Sequence, residues 1–279
     1  MKEVNLRKRK ARKDVNDDKI KAAVKQKSSG VVSSGSCIFT FILFIVTLLI
    51  YDVILVAQDT VDVQAVKTDL LNNVYNQTEA VSIIIDSLNR LYNNEQHVQI
   101  VNFIGSTGVG KTFIANVLKR HFHPSVYELN GFFDNIQKNV LHKIKRASSS
   151  YPNLIVIDDL TVTDIDKLLN FLKEIPQEVM ALVVCIFNIQ ETDNDLHHSI
   201  SYAHSDKIIK KFNKAEILHK VAKFHEFDRN QASDWVIKQL ILRGVDPQLH
   251  SDIVESVLLD QNVRYHGLKG LSSKINLEL

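Results

Sequence analysis

The stretch GSTGVGKT, Gly105–Thr112, matches the pattern G-x-x-x-x-G-K-[ST]. It constrains its surroundings. Such a loop holds phosphate through backbone N–H groups and a helix N-terminus, so a strand must deliver it and a helix must open directly after it. Both flanks suit: VQIVNFI (98–104) reads as a strand and KTFIANVLKRHF (111–122) as a helix. Gly105, Ser106, Thr107, Gly108, Val109, Gly110, Lys111 and Thr112 are therefore the candidate phosphate cradle. The glycines let the backbone curl. Lys111 can reach the β- and γ-phosphates, and Thr112 can ligate Mg²⁺. ATP and Mg²⁺ are the implied ligands. The bland alternative is a glycine-rich turn that happens to precede Lys-Thr.

The same alternation continues downstream. SVYEL (125–129), LIVIDDL (154–160) and MALVVCIFN (180–188) read as strands. VTDIDKLLNFLKEI (162–175) reads as a helix that Pro176 ends. Its Thr163 and Asp166 are spaced like a capping box, and Ile165, Leu168, Leu169 and Leu172 share one face. Short apolar strands alternating with helices predict an α/β fold, a parallel sheet covered on both faces. Upstream, residues 66–93 predict two helices with a break near Asn76–Thr78, where NQT is also an N-glycosylation triplet. Beyond about Asp228, NQASDWVIKQLILRG and SDIVESVLLD are helical, and Gly244 is a good stop for the first. A small helical domain following the sheet is expected.

LIVIDDL ends in two acids. An Asp at the end of a buried strand helps hold Mg²⁺ in phosphate-loop enzymes, and Asp158 suits that role beside Thr112. Asp159 would then polarise the attacking water. The alternative is a central strand whose end simply meets solvent. Asn188, closing LVVCIFN, could position the same water, although a strand-ending Asn is also a common turn former. The eleven histidines show no metal-ligand spacing.

Residues 37–57, CIFTFILFIVTLLIYDVILVA, are 21 positions with one charge, Asp52 near the far end. About 20 apolar residues span a bilayer core. An uncleaved anchor is preferred to a signal peptide, because the basic region before it is long and no A-x-A site follows. A buried core helix is the third possibility. Residues 1–36 hold eleven Lys or Arg against four Asp or Glu. Positive charge stays on the cytoplasmic side, so the chain beyond about 58 should face a lumen. RKRKARK (7–13) can be read as a topology signal, a nuclear-localisation patch or an anionic-lipid contact. The two cysteines, Cys37 and Cys185, lie in unrelated apolar runs and do not suggest a disulfide.

Together these motifs resemble an AAA+ ATPase and, within that group, the torsin family, over roughly residues 64–279. GSTGVGKT and LIVIDDL match the Walker A and Walker B positions, and Asn188 matches sensor 1. YHGLKGL looks like the sensor 2 region, with Gly267-Leu268-Lys269 where torsins carry Gly-Cys-Lys. The stretch LLNNVYNQTEAVSIIIDSLNRL is similar to the torsin segment in which Phe-Gly-Gln precedes a long helix. The resemblance implies ATP hydrolysis with Asp159, Asn188 and Lys269 as catalytic residues and Thr112 and Asp158 on the metal. Three departures stand out. Torsins carry Asn where this chain has Thr112, Glu where it has Asp159, and Cys where it has Leu268. From Ala147 to Asp228 there is no arginine. Torsins also lack the arginine finger and borrow it from membrane-anchored activators with AAA-like domains.

The expected organisation is a basic cytoplasmic tail (1–36), a transmembrane helix (37–57), a large nucleotide-binding domain (58–227) and a helical lid (228–279). The expected function is a lumenal, type II membrane-anchored ATPase of the endoplasmic reticulum or nuclear envelope. It would work slowly, act chaperone-like on protein or membrane complexes, and need an activator or a homo- or hetero-oligomer, with no nucleic-acid partner. The rival is a non-hydrolysing regulator of an active ATPase.

Overall fold

The computed structural model describes residues 41–48, 61–93, 95–131, 134–147, 151–192 and 198–279. The chain divides into two compact units, Met1–Asp59 and Thr60–Leu279. In the first, residues 41–48 are helical and exposed. The basic tail and most of the 37–57 segment lie outside the described residues. Among the described residues, no helix is long and apolar enough to cross a membrane.

The second unit opens with helices α1 (Val63–Asn73) and α2 (Thr78–Tyr92), broken where predicted. Next come β1 (Val98–Gly105), α3 (Lys111–Phe122), β2 (Val126–Asn130) and α4 (Asp134–Ile144). β3 (Asn153–Leu160), α5 (Ile165–Lys173) and β4 (Ala181–Asn188) follow, then a hairpin, β5 (Gln190–Thr192) and β6 (His198–Ile200). Helix α6 (Tyr202–Lys214) leads to β7 (Lys220–Lys223). The chain ends in α7 (Arg229–Leu242), α8 (His250–Leu258), α9 (Val263–His266) and α10 (Leu271–Glu278).

The main sheet has the order β2-β3-β4-β1-β7, and every pairing is parallel. Side chains alternate between its faces. Val101, Phe103, Val156 and Val184 join the core under α1, α2 and α3. Ile100, Ile104, Ile155, Val183 and Phe187 join the opposite core under α5 and α6. Both faces are thus covered, as parallel strands require. The loops that follow β1, β3 and β4 come off the same sheet edge, so the sequence motifs meet there.

Two local readings change. The capping box before α5 uses Thr161 and Asp164, not Thr163 and Asp166: Thr161 is extended, and its N–H donates to the Asp164 carboxylate at 2.9 Å. The turn begins two residues earlier because a 3₁₀ segment (Val162–Asp164) precedes the α-helix. Helices α4 and α6 and the β5–β6 hairpin are additions to the sequence reading.

Helices α7, α8 and α10 pack on one another as a small C-terminal bundle. Asp228 caps α7 through a reciprocal pair with Gln231. The segment entering the bundle is pinned to the sheet layer by Gln77, which is 2% exposed. Its Nε2 donates to the His225 carbonyl at 2.8 Å, and its Oε1 accepts from the His225 N–H at 3.0 Å. Tyr75 packs against Phe227, with ring centroids 5.9 Å apart. The stretch before α2 therefore fixes where the bundle starts.

Candidate functional site

Gly105 closes β1 as the ladder partner of Asn188 at the end of β4. From there the loop turns into α3, whose N-cap Gly110 sits at φ 103°. That left-handed geometry suits glycine and aims the first N–H groups of α3 back into the loop. Lys111 is only 7% exposed. Its ammonium donates to the carbonyls of Gly105 at 2.7 Å and Ser106 at 2.5 Å. Burial lowers its pKa to about 8, and the charge of Asp158 works the other way. Ser106 is 1% exposed, and its hydroxyl has no hydrogen-bond partner among the described residues. A buried hydroxyl, a buried ammonium held only by loop carbonyls and an open helix N-terminus are the donor set a polyphosphate needs.

The hydroxyl of Thr112 donates to Oδ2 of Asp158 at 3.0 Å. The other carboxylate oxygen of Asp158 accepts from the N–H of Asp159 at 2.7 Å. A hydroxyl and a carboxylate in contact at the foot of a phosphate loop are oxygen ligands of the kind Mg²⁺ takes. Asp159 is exposed, at φ 58°, and the β3–β4 register shifts between Ile157 and Leu160. The left-handed turn lifts Asp159 out of the ladder at the edge that carries the loop.

Asn188 lies against the loop. Its Nδ2 donates to the Thr107 hydroxyl at 3.2 Å, and its Oδ1 accepts from the N–H of Gln190 at 3.2 Å. The side chain of Gln190 in turn accepts from the Thr107 N–H at 3.4 Å. Gln190 was not picked out by sequence reasoning. Its only signal is its place two residues past a strand-ending Asn.

The bundle reaches the same loop through its backbone. The N–H of Leu268 donates to the Gly108 carbonyl at 3.1 Å. A Cβ on Gly108 would lie 1.9 Å from the carbonyl oxygen of His266, and one on Gly267 would lie 2.5 Å from that of Gly108. Both positions are thus closed to side chains. Lys269 follows at once, is exposed, and has no carboxylate within ion-pair distance among the described residues. The residues Gly105–Thr112, Asp158, Asp159, Asn188 and the Gly267–Lys269 turn therefore gather at one edge of the sheet.

Fold and site define a phosphate-loop α/β unit with a helical bundle seated on the loop. No family model matches the chain, and no curated protein sequence matches it. Among solved structures, the chain resembles Hsp104 in a closed-state cryo-EM reconstruction with ATPγS and FITC-casein. The TM-score is 0.51 at 11% identity, covering 78% of this chain and 45% of that one. This chain thus spans less than half the length of Hsp104. At that identity the likeness shows the fold alone.

Proposed function

We propose that the Thr60–Leu279 unit binds ATP with Mg²⁺ and hydrolyses it slowly, as a torsin-like AAA+ ATPase. One observation carries the reading: the Thr112 hydroxyl rests on the Asp158 carboxylate at 3.0 Å, beside the buried Lys111. Loop N–H groups and the α3 N-terminus would bind the phosphates, and Lys111 would exchange its loop carbonyls for phosphate oxygens. Thr112 and Asp158 would hold the metal, whose charge neutralises phosphate oxygens when bound. Asp159 accepts a proton from, or orients, a water, with Asn188 as the second positioning group. Lys269, carried by the bundle, brings a cation to the loop when the bundle is docked.

The absence of arginine between Ala147 and Asp228 supports a need for a partner's arginine, which can contribute ~10³–10⁵ in rate. The partner would be an AAA-like membrane-anchored activator, or another subunit of a homo- or hetero-oligomer. The 37–57 apolar segment and the basic tail before it support a single-pass anchor, with this unit in the lumen of the endoplasmic reticulum or nuclear envelope. Remodelling of protein or membrane complexes is the corresponding task.

The second reading, a nucleotide-binding regulator without turnover, is favoured by Asp159. Its side chain is one methylene shorter than Glu, and misplacing a catalytic group by about 1 Å can cost on the order of 100-fold. The test is calorimetric ATP·Mg²⁺ titration of residues 60–279, with turnover followed in the presence of activator domains. Tight binding abolished by Lys111→Ala supports the proposal. Equal affinity in both proteins overturns it. Binding without turnover under any activator selects the regulator.

A further inference from the structure

Asn76-Gln77-Thr78 is the only N-x-[ST] triplet in the 279 residues. The structure puts Asn76 and Gln77 in the elbow between α1 and α2, with Thr78 at the first position of α2. The neighbours of Asn76 are turned inward. Tyr75 packs on Phe227, and Gln77 is 2% exposed and bonded twice to the His225 backbone. Asn76, at φ 51°, is turned outward and exposed, and its amide makes no hydrogen bond among the described residues.

We propose that Asn76 is an N-glycosylation site, an inference that rests on the lumenal reading given above. The elbow by itself explains the asparagine, since Asn tolerates a left-handed backbone better than most residues. It does not explain Thr78. That residue is exposed at the first position of α2, where its hydroxyl caps nothing, and threonine is a mediocre helix former. Acceptor asparagine and hydroxyl residue are both open to solvent, separated by a side chain locked inside. The folded unit therefore accommodates a glycan without unfolding.

The transfer balances with a lipid-diphosphate-linked oligosaccharide as donor. The amide nitrogen of Asn76 bonds to the sugar's C1, the C1–O bond to the diphosphate breaks, and the amide proton leaves with the lipid diphosphate. The product is a bulky hydrophilic group at the corner where the α1–α2 elbow meets residues 225–227. A docking partner must then approach from another side.

The test is translation of the full chain with microsomes, followed by digestion with an enzyme that removes N-glycans. One glycan's mobility shift, reversed by digestion, is expected for the wild type and for Thr78→Ser. Asn76→Gly, which keeps the left-handed backbone, and Thr78→Ala should both lose it. A parallel chain carries a second acceptor triplet on a flexible linker after Leu279 and reports which side the unit occupies. If the appended triplet is modified and Asn76 is not, the proposal is overturned while the lumenal reading stands. If neither is modified, the lumenal reading fails and the proposal falls with it.

Discussion

Gly108 of the phosphate loop and Gly267 of the C-terminal bundle meet backbone to backbone, and neither position has room for a Cβ. The Leu268 N–H closes the contact on the Gly108 carbonyl at 3.1 Å. The bundle is thus attached to the one loop whose shape a nucleotide would set. That arrangement ties Lys269 to the state of the loop.

Gly267→Ala would force a methyl toward the Gly108 carbonyl at a φ of 53°. Strain and overpacking of this kind cost about 2 kcal/mol. For a unit of this size that lowers Tm by roughly 5 °C. ATP affinity should fall about tenfold, the equivalent of about 1.4 kcal/mol, because Lys269 loses its position. Gly270→Ala is the control: it shares the positive φ but meets nothing within 4 Å. It should cost about 1 kcal/mol in thermal unfolding and leave calorimetric ATP affinity unchanged.

Lys111 gives a pH signature. Burial lowers its pKa from 10.5 to about 8. Between these values the unfolded chain holds a proton that the folded one has lost, so Lys111 makes stability rise with pH across about 8 to 10.5. Bound phosphates favour the protonated amine, so ATP binding should take up about one proton near pH 9 and almost none at pH 7. Calorimetry in two buffers of different ionisation enthalpy measures this directly. Affinity that stays level from pH 7 to 9.5 would contradict the assignment of Lys111 to the phosphates.

The phosphate loop and its strand–helix flanks were legible because their chemistry is local: glycines, Lys111 and two apolar segments within 25 residues. The order β2-β3-β4-β1-β7 was not, since it depends on which strands pair across long intervals. Helix α6 gives only a weak sequence pattern because five of its thirteen residues are Lys or His. Its buried face, Ser205, Ile208 and Phe212, is only three residues wide. The capping box lies two residues before the predicted one because Thr161/Asp164 and Thr163/Asp166 have the same spacing, and only the backbone chooses between them. Gln77 and Gln190 act on backbone groups distant in sequence, and such bonds leave no periodic trace.

Asn102 is a misfit in an interior strand of the sheet. It is fully buried on β1, in register with Cys185 of β4 and Val221 of β7, and neither atom of its amide has a partner among the described residues. A buried polar group without a partner costs about 1–3 kcal/mol. Asn102→Val suits an interior strand and should raise Tm by roughly 2–6 °C. Calorimetric unfolding of residues 60–279 checks it, and a lowered Tm would mean the amide is satisfied in solution. ATP affinity should not change, because Asn102 lies three residues before the loop and points into the sheet's core.

Asp159 separates chemistry from backbone strain. At φ 58° it occupies a conformation that Asp, Asn and Gly accept and that Glu resists, at about 1 kcal/mol. The shorter acid thus has a structural reason to be there. Asp159→Asn keeps the turn and the Asp158–Thr112 contact, so ATP should bind as before. Turnover with activator should drop about 100-fold or more, because the proton acceptor is gone. Asp159→Gly should lose the same activity while Tm does not fall, which assigns the loss to the carboxylate and not to folding. Asp159→Glu should lower Tm by a few degrees and speed single turnover with activator, as the carboxylate gains reach at the expense of the turn. Single-turnover assays are required, since release of product would mask a faster chemical step. If Asp159→Asn and wild type turn over equally fast with activator, Asp159 is not the group that activates water, and the exposed acid serves only to form the turn.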